Sequence, residues 1–377
     1  MERISIQPRE NWCGRVESQG MAYHTIEGSI YWDESACYRF TSREIDALED
    51  ATVELQRLCL AAVEQVIRRD LFDLLHIPRQ FIPLITRSLE AAEPSLYGRF
   101  DLVYDGIRPP RLLEYNADTP TSLLEASVIQ WFWMKDVFPE ADQFNSIHEK
   151  LIEFWLGHAE FRSEPVYFAC VEDNTEDLGN VEYLMDTALQ GGVDARFIHV
   201  EEIGWDASAR RFVDMDDSPM PVLFKLYPWE WMTREEFGPN LLISSPRMLE
   251  PPWKMILSNK GILPLLWELF PRHPFLLPAS FNREGVAGDF VKKPLFSREG
   301  GSITIQAGGD TIVNPGTYGE EGWVYQAYAP LPSFGGNHAV IGSWVIGGKA
   351  AGIGIREDAG PITTNASRFV PHFFREG

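Results

Sequence analysis

Four short stretches carry residue types that could do chemistry together. The first is Arg99-Phe100-Asp101, followed after a polar stretch by Glu114-Tyr115-Asn116-Ala117-Asp118. Alternate residues of an extended strand share a face, so Arg99 goes with Asp101, and Glu114 with Asn116 on the next strand. If the strands pair, Asp101, Glu114 and Asn116 converge. Two carboxylates and an amide oxygen are hard ligands suited to Mg²⁺, which keeps some waters and otherwise binds phosphates. Arg99 on the same face could grip a phosphate or carboxylate through a bidentate fork. A surface hairpin with ordinary cross-strand charge pairs would have the same spacing.

The second stretch is Asp289-Phe-Val-Lys292-Lys293-Pro294, then Ser297-Arg298-Glu299-Gly300-Gly301-Ser302. A strand delivers lysines, and a glycine turn lets backbone N–H groups approach phosphates. It is not the GxxxxGK[ST] loop that precedes a helix, and a charged hairpin would also fit. The third is Ser258-Asn259-Lys260-Gly261 ahead of an apolar helix, where a lone lysine is ordinarily solvated. The fourth is Thr175-Glu176-Asp177, between a buried strand and a helix. Acidic residues favour helix N-termini; the same pair could bind an ammonium group.

The elements that position these residues can be read from periodicity. A helix is predicted over 42–69, opened by a capping box at Thr41-x-x-Glu44. Strands follow at Phe100–Tyr104 and Leu112–Tyr115. A second capping box, Ser122-x-x-Glu125, is expected to open a helix through about Met134. Further helices are expected at 142–160 and 178–190. Strands at Val166–Val171 and Ala195–Val200 complete a β-α-β unit with a small parallel sheet. Val222–Leu226 reads as a strand and Ile262–Phe270 as a helix. The last hundred residues read as strands (Val286–Lys292, Ser302–Gln306, Trp323–Tyr328, His338–Ile346, Ala351–Arg356) paired antiparallel through glycine turns. A lobe boundary is expected near 280 within one α+β, mixed α/β unit.

Bulk properties narrow the function classes. Of 377 residues 45% are hydrophobic, enough for a filled core. Lys and Arg number 33 against 55 Asp and Glu, a net charge of −22. That sign disfavours nucleic-acid backbones and attracts cations, although a solubilising surface gives the same balance. No apolar run reaches the length of a membrane span, and the N-terminus shows no signal pattern. The cysteines Cys13, Cys37, Cys59 and Cys170 form no CxxC pair. Cytoplasmic residence with free thiols is the expectation.

Taken in order, RFD, LLEYNADTPTSLLEA, SNKGILPLLW, KKPLFSREGGSI, VYQAY and GIRED resemble the glutathionylspermidine synthetase family. The resemblance runs over about 10–375, and is greatest to the family's shorter acid–amine ligases, which lack an amidase domain. It implies an ATP-grasp fold with a preceding small α/β lobe, and amide formation through an acyl phosphate, with ATP and Mg²⁺. By this resemblance Asp101, Glu114 and Asn116 hold magnesium and Arg99 meets a phosphate. Lys260 and Lys293 bind ATP, while Arg298, Gly300 and Gly301 form a phosphate loop. Gln326 lies in the strand that meets adenine, Arg356 reaches the reacting phosphate, and Glu176 and Asp177 meet the amine. Family enzymes acting on glutathione carry small polar residues after EYNAD; here Thr119, Thr121 and Ser122 flank a proline. They also have a cysteine after the loop arginine, where this chain has Glu299. The implied partners are a small acid, glutathione-like, and a polyamine-like amine, with neither nucleic acid nor membrane. A two-carboxylate hydrolase using Asp101 and Glu114, or an inactive Mg-ATP-binding scaffold, stands as the alternative.

Overall fold

The computed structural model describes residues 1–26 and 28–375. The helix Ser42–Arg68 opens on the expected capping box, with Glu44 N–H donating to Thr41 Oγ1 and Glu44 accepting from Thr41 N–H. Its apolar face, including Leu48, Leu55, Leu58 and Val66, is fully buried. This face packs under the central sheet, where Thr52 Oγ1 lies 2.6 Å from Ser343 Oγ and Tyr115 OH donates to Gln56 at 3.1 Å.

The central sheet is where the two motif strands meet. Tyr97–Val103 and Arg111–Asn116 pair antiparallel, with Asp101 opposite Glu114 and Arg99 opposite Asn116. A bulge after Asp101 shifts the register by one residue and leaves Leu113 opposite no partner. On its other edge Tyr97–Val103 pairs with Asn337–Ile346, which pairs in turn with Lys349–Asp358. The chain therefore returns from its last hundred residues to complete the sheet begun near residue 97.

A second, wholly antiparallel sheet runs Ala279–Ser280, Trp323–Ala327, Phe290–Pro294, Thr304–Ala307, Asp310–Val313. A third is wholly parallel, in the order Arg247–Leu249, Val222–Lys225, Val166–Cys170, Ala195–His199. The β-α-β unit at 166–199 is thus present, with its helix at Thr175–Gln190. This helix begins three residues earlier than expected because Asn174 caps it, accepting from Asp177 N–H at 3.0 Å.

Two other expectations need correction. Ser122 and Glu125 do not form a capping box. Ser122 has φ +65°, and Glu125 opens a π-helical turn, Glu125–Ile129, ahead of the helix Gln130–Val137. Both side chains are engaged by the Tyr31 hydroxyl instead. The helix expected over 142–160 begins only at Ile147, because Asp142 and Asn145 bridge to Phe374 and Gly352 in extended form. Among the described residues no helix is long and apolar enough to cross a membrane.

Candidate active site

The three sheets enclose a cavity of about 450 Å³. It is lined by Arg99, Asp101, Glu114 and Asn116 from the central sheet, Lys293 and Gln326 from the antiparallel sheet, and Glu176 and Asp177 from the parallel-sheet lobe. Lys260, Arg298, Gly300 and Arg356 join them, as do Thr119, Thr121 and Ser122. Of the residues that the family resemblance assigns to the site, all but Gly301 line the cavity; Gly301 packs against Tyr318 and the Arg298 carbonyl.

Asp101 sits between two guanidinium groups. Arg99 Nε donates to Asp101 Oδ1 at 2.7 Å and Arg356 Nη2 to Oδ2 at 3.1 Å. Arg99 Nη1 also donates to the Thr121 carbonyl at 2.6 Å. Space for the arginine stem comes from Gly342 on the neighbouring strand, where a Cβ would lie 2.8 Å from Arg99 Cδ. Gly342 was not legible in the sequence as part of this site, since its role depends on a pairing between strands far apart in the chain.

Glu114 faces Lys260 at 3.4 Å. Burial would raise its carboxyl, but Lys260, then Lys293, Arg99 and Arg356 outweigh it and hold it down to about 2. Lys293 Nζ donates to the Leu113 carbonyl and to Gln326 Oε1, each at 2.8 Å. Burial pushes its ammonium down to about 8 against the pull of Glu114, with Lys260 adding to the depression. The Gln326 amide is occupied, since its Nε2 donates to the Leu112 carbonyl at 3.0 Å. Gln326 therefore clamps Lys293. Lys292 points the other way, over Trp323.

Arg298, in the cavity lining, donates to Thr119 Oγ1 at 2.8 Å and to Glu230 at 2.6 Å. Behind it Arg298 Nε and Ser297 Oγ are buried with no partner. Gly300 adopts φ +66°, and a Cβ there would meet the Thr363 carbonyl at 2.5 Å. Asp118, inside the same motif as Glu114, plays a different part. It is buried against Lys225 at 2.6 Å and accepts from Trp229 N–H at 2.9 Å, tying the central sheet to the parallel-sheet lobe.

The wall from the parallel-sheet lobe is acidic. Burial, then Glu176, push the Asp177 carboxyl up to about 7, and burial raises Glu176 although a hydrogen bond with Thr121 opposes it. Tyr31, Glu125 and Glu230 belong to this region and were missed as functional candidates. Tyr31 lies far upstream in a stretch without motif character, and Glu125 read as a helix cap.

Most of the molecule answers to one family model, described as glutathionylspermidine synthase preATP-grasp, which matches residues 3–375. The chain belongs to the glutathionylspermidine synthase family. It is 40% identical over 392 residues to a Haemophilus influenzae protein named "Putative acid–amine ligase", covering 99% of this chain and 100% of that protein. Similarity to the bifunctional glutathionylspermidine synthetase/amidase of Escherichia coli (strain K12) is 26% over 391 residues, covering 96% of this chain and 63% of the relative. The trypanothione synthetase of Crithidia fasciculata is 27% identical over 349 residues, covering 84% and 53%. This family member thus spans little more than half to two thirds of those larger relatives. Among solved structures, a glutathione synthetase-like effector from Globodera pallida superposes with a TM-score of 0.58 at 12% identity, covering 97% of this chain and 95% of that one. This is a likeness of fold. The architecture is mixed α/β and of the ATP-grasp type, with a small α/β lobe before the antiparallel sheet.

The residues fit a magnesium nucleotide. Asp101, Glu114 and Asn116 form a hard oxygen donor set, and Glu114 is held ionised by the surrounding cations. The unpartnered Ser297 Oγ and Arg298 Nε lie just ahead of Gly300, whose missing Cβ lets the loop pack against the Thr363 carbonyl.

Proposed function

We propose that this chain is a Mg-ATP-dependent ligase that joins a carboxylic acid to an amine, releasing ADP and phosphate, with 10–375 working as one catalytic unit. The observation that carries the reading is a single cavity with five cations (Arg99, Lys260, Lys293, Arg298, Arg356) and an opposing acidic wall, Glu176 and Asp177. An anionic phosphate donor and a cationic amine are the pair that such a cavity suits. The names of the relatives, acid–amine ligase and glutathionylspermidine synthetase among them, support the same class.

A carboxylate is a poor acyl donor because oxide leaves badly. Transfer of the terminal phosphoryl group of ATP onto it makes phosphate the leaving group. Asp101, Glu114 and Asn116 would hold Mg²⁺, which when bound neutralises charge on the phosphates. Lys260 and Lys293 position the nucleotide phosphates, and Arg99 and Arg356 place fixed positive charge where the transferred group gathers negative charge. Arg298 and the Gly300-Gly301 turn close over the phosphates. Leu113, Val291 and Ile305 give an apolar slot for the base beside the Gln326 strand. Thr119, Thr121 and Ser122 line the place for the acid, with a glutathione-like acid and a polyamine-like amine as the expected pair.

An aliphatic amine has a pKa of about 10.4, so at pH 7 only about one molecule in 10³ is neutral. Glu176 and Asp177 bind the ammonium, and burial raises both carboxyls above the ordinary carboxylate range. A two-carboxylate hydrolase is disfavoured, because Asp101 and Glu114 are both paired to cations and the Glu114 carboxyl is held ionised by them. The test is ADP release across a panel of acids and amines. Lys293→Ala and Glu114→Ala are each expected to abolish it while circular dichroism shows a folded chain. Wild-type turnover by either variant would sink the assignment, and Mg-ATP binding without ADP from any pair would leave a scaffold.

A further inference from the structure

Behind the acidic wall lies a carboxylate that the mechanism above does not use. Glu125 is fully buried. Its Oε1 accepts from Tyr31 OH at 2.7 Å, and the same hydroxyl lies 3.0 Å from Ser122 Oγ. Its Oε2 is buried with no partner, as is the hydroxyl of the neighbouring Tyr23. Tyr31 and Ser122 line the cavity whereas Glu125 does not, so the Tyr31 hydroxyl bridges the cavity to a carboxylate sealed from solvent.

The charged groups bearing on Glu125 are few. Glu176 approaches from the helix Thr175–Gln190 and Arg99 from the central sheet; Tyr31 and Tyr23 complete the surround. Burial, then Glu176, push the Glu125 carboxyl up to about 7, against the Tyr31 hydrogen bond and Arg99. Glu176 also bears on Tyr31 itself. An ammonium held by Glu176 and Asp177 thus has the Tyr31 hydroxyl within the same electrostatic neighbourhood.

We propose that Glu125 is the proton store of the acidic wall, taking the proton of the bound ammonium through the Tyr31 hydroxyl before the amine attacks. This rests on the ligase reading. In the step the ammonium N–H bond breaks and its proton bonds to the Tyr31 oxygen, while the Tyr31 O–H proton passes to Glu125 Oε1. Tyr31 is unchanged, Glu125 becomes neutral, and the nitrogen keeps its electron pair. That pair forms the C–N bond of the amide as the acyl C–O bond to phosphate breaks, and phosphate leaves with the second nitrogen proton. Glu125 then returns its proton through Tyr31 once product departs. The division of labour has a physical reason. Glu176 and Asp177 attract the ammonium by charge, and that same charge holds the proton on nitrogen; a separate acceptor lets the proton leave while the binding carboxylates stay in place. Glu125 acts through Tyr31 and is a positioning residue in that sense.

The variants are Tyr31→Phe and Glu125→Gln, assayed for ADP release with glutathione as acid and either spermidine or hydroxylamine as amine. Hydroxylamine is a weak base, neutral at pH 7, and needs no deprotonation. The expected result is a fall of about 10² in kcat with spermidine, its KM unchanged, and a far smaller fall with hydroxylamine. The wild-type rise of spermidine turnover through about pH 7 should vanish in Glu125→Gln. Infrared difference spectra without ligand should show carboxylic C=O intensity that titrates near neutrality, part of it from Asp177 and the rest lost in Glu125→Gln. Equal losses with both amines would mean a structural role and overturn the proposal. Wild-type turnover without the Glu125 band overturns the relay alone. A wild type that shows the band but releases no ADP with any acid and amine of the panel brings down the ligase reading, and the relay with it.

Discussion

Asp177→Asn should make the ligand-free protein more stable at pH 8 while removing amine-dependent turnover. Asp177 sits in the first turn of the helix Thr175–Gln190, in the cavity wall. Burial first, and then its neighbour Glu176, raise its carboxyl from 3.8 to about 7. The native state therefore holds a proton that the unfolded chain has already lost between those values. Stability falls as pH rises through that window, and the full penalty applies above about 7. At about 1.4 kcal/mol per tenfold change in proton affinity, the penalty at pH 8 is about 4 kcal/mol. The helix N-terminus favours the anion by up to about 1 kcal/mol, leaving about 3 kcal/mol. At pH 5 only about 1.5 kcal/mol remains, because the native carboxyl is still protonated there. Asparagine keeps the shape, carries no charge and relieves Glu176 as well. Urea unfolding of wild type and variant, without nucleotide, at pH 5 and pH 8 is the assay. The gain should be larger at pH 8 by about 1.5 kcal/mol. A variant equal to or weaker than wild type at pH 8, or a gain independent of pH, would refute the reasoning.

Asp118→Asn should have the opposite character, destabilising by about 3–5 kcal/mol in urea melts because it leaves Lys225 buried without its carboxylate; a loss under 1 kcal/mol would show that the pair does not tie the lobes. Gly342→Ala should press on Arg99 and lower ATP-dependent turnover by about 10-fold or more with little change in melting temperature, and unchanged kinetics would mean that Arg99 gives way freely. Limited proteolysis within 297–302 should slow when Mg-ATP is added, and identical cleavage with and without nucleotide would count against a phosphate lid.

The strands that carry Asp101 and Glu114 were legible because alternation fixes which side chains share a face, and the pairing register sets them directly opposite. The lysines and the glycine turn were legible only as a set, since a lone lysine before a helix has many explanations. Two kinds of residue stayed hidden. Gly342 matters through a Cβ that is absent, next to an arginine some 240 residues earlier in the chain, and no local pattern signals that. Glu125 was misread because spacing after a serine matches a helix cap, yet the left-handed Ser122 backbone turns the hydroxyl toward Tyr31. A true capping box would place that carboxylate on the Ser122 backbone N–H at a solvated helix end. Here it is buried with one oxygen unpaired, an arrangement that costs stability and so points to use. Asp118 shows the converse. It sits within the most chemically suggestive motif of the chain, yet its carboxylate is buried against Lys225 and the Trp229 backbone N–H and ties two sheets together. Within one motif the metal-type carboxylate and the structural carboxylate differ only in which strand or lobe reaches them, and that is decided by tertiary packing.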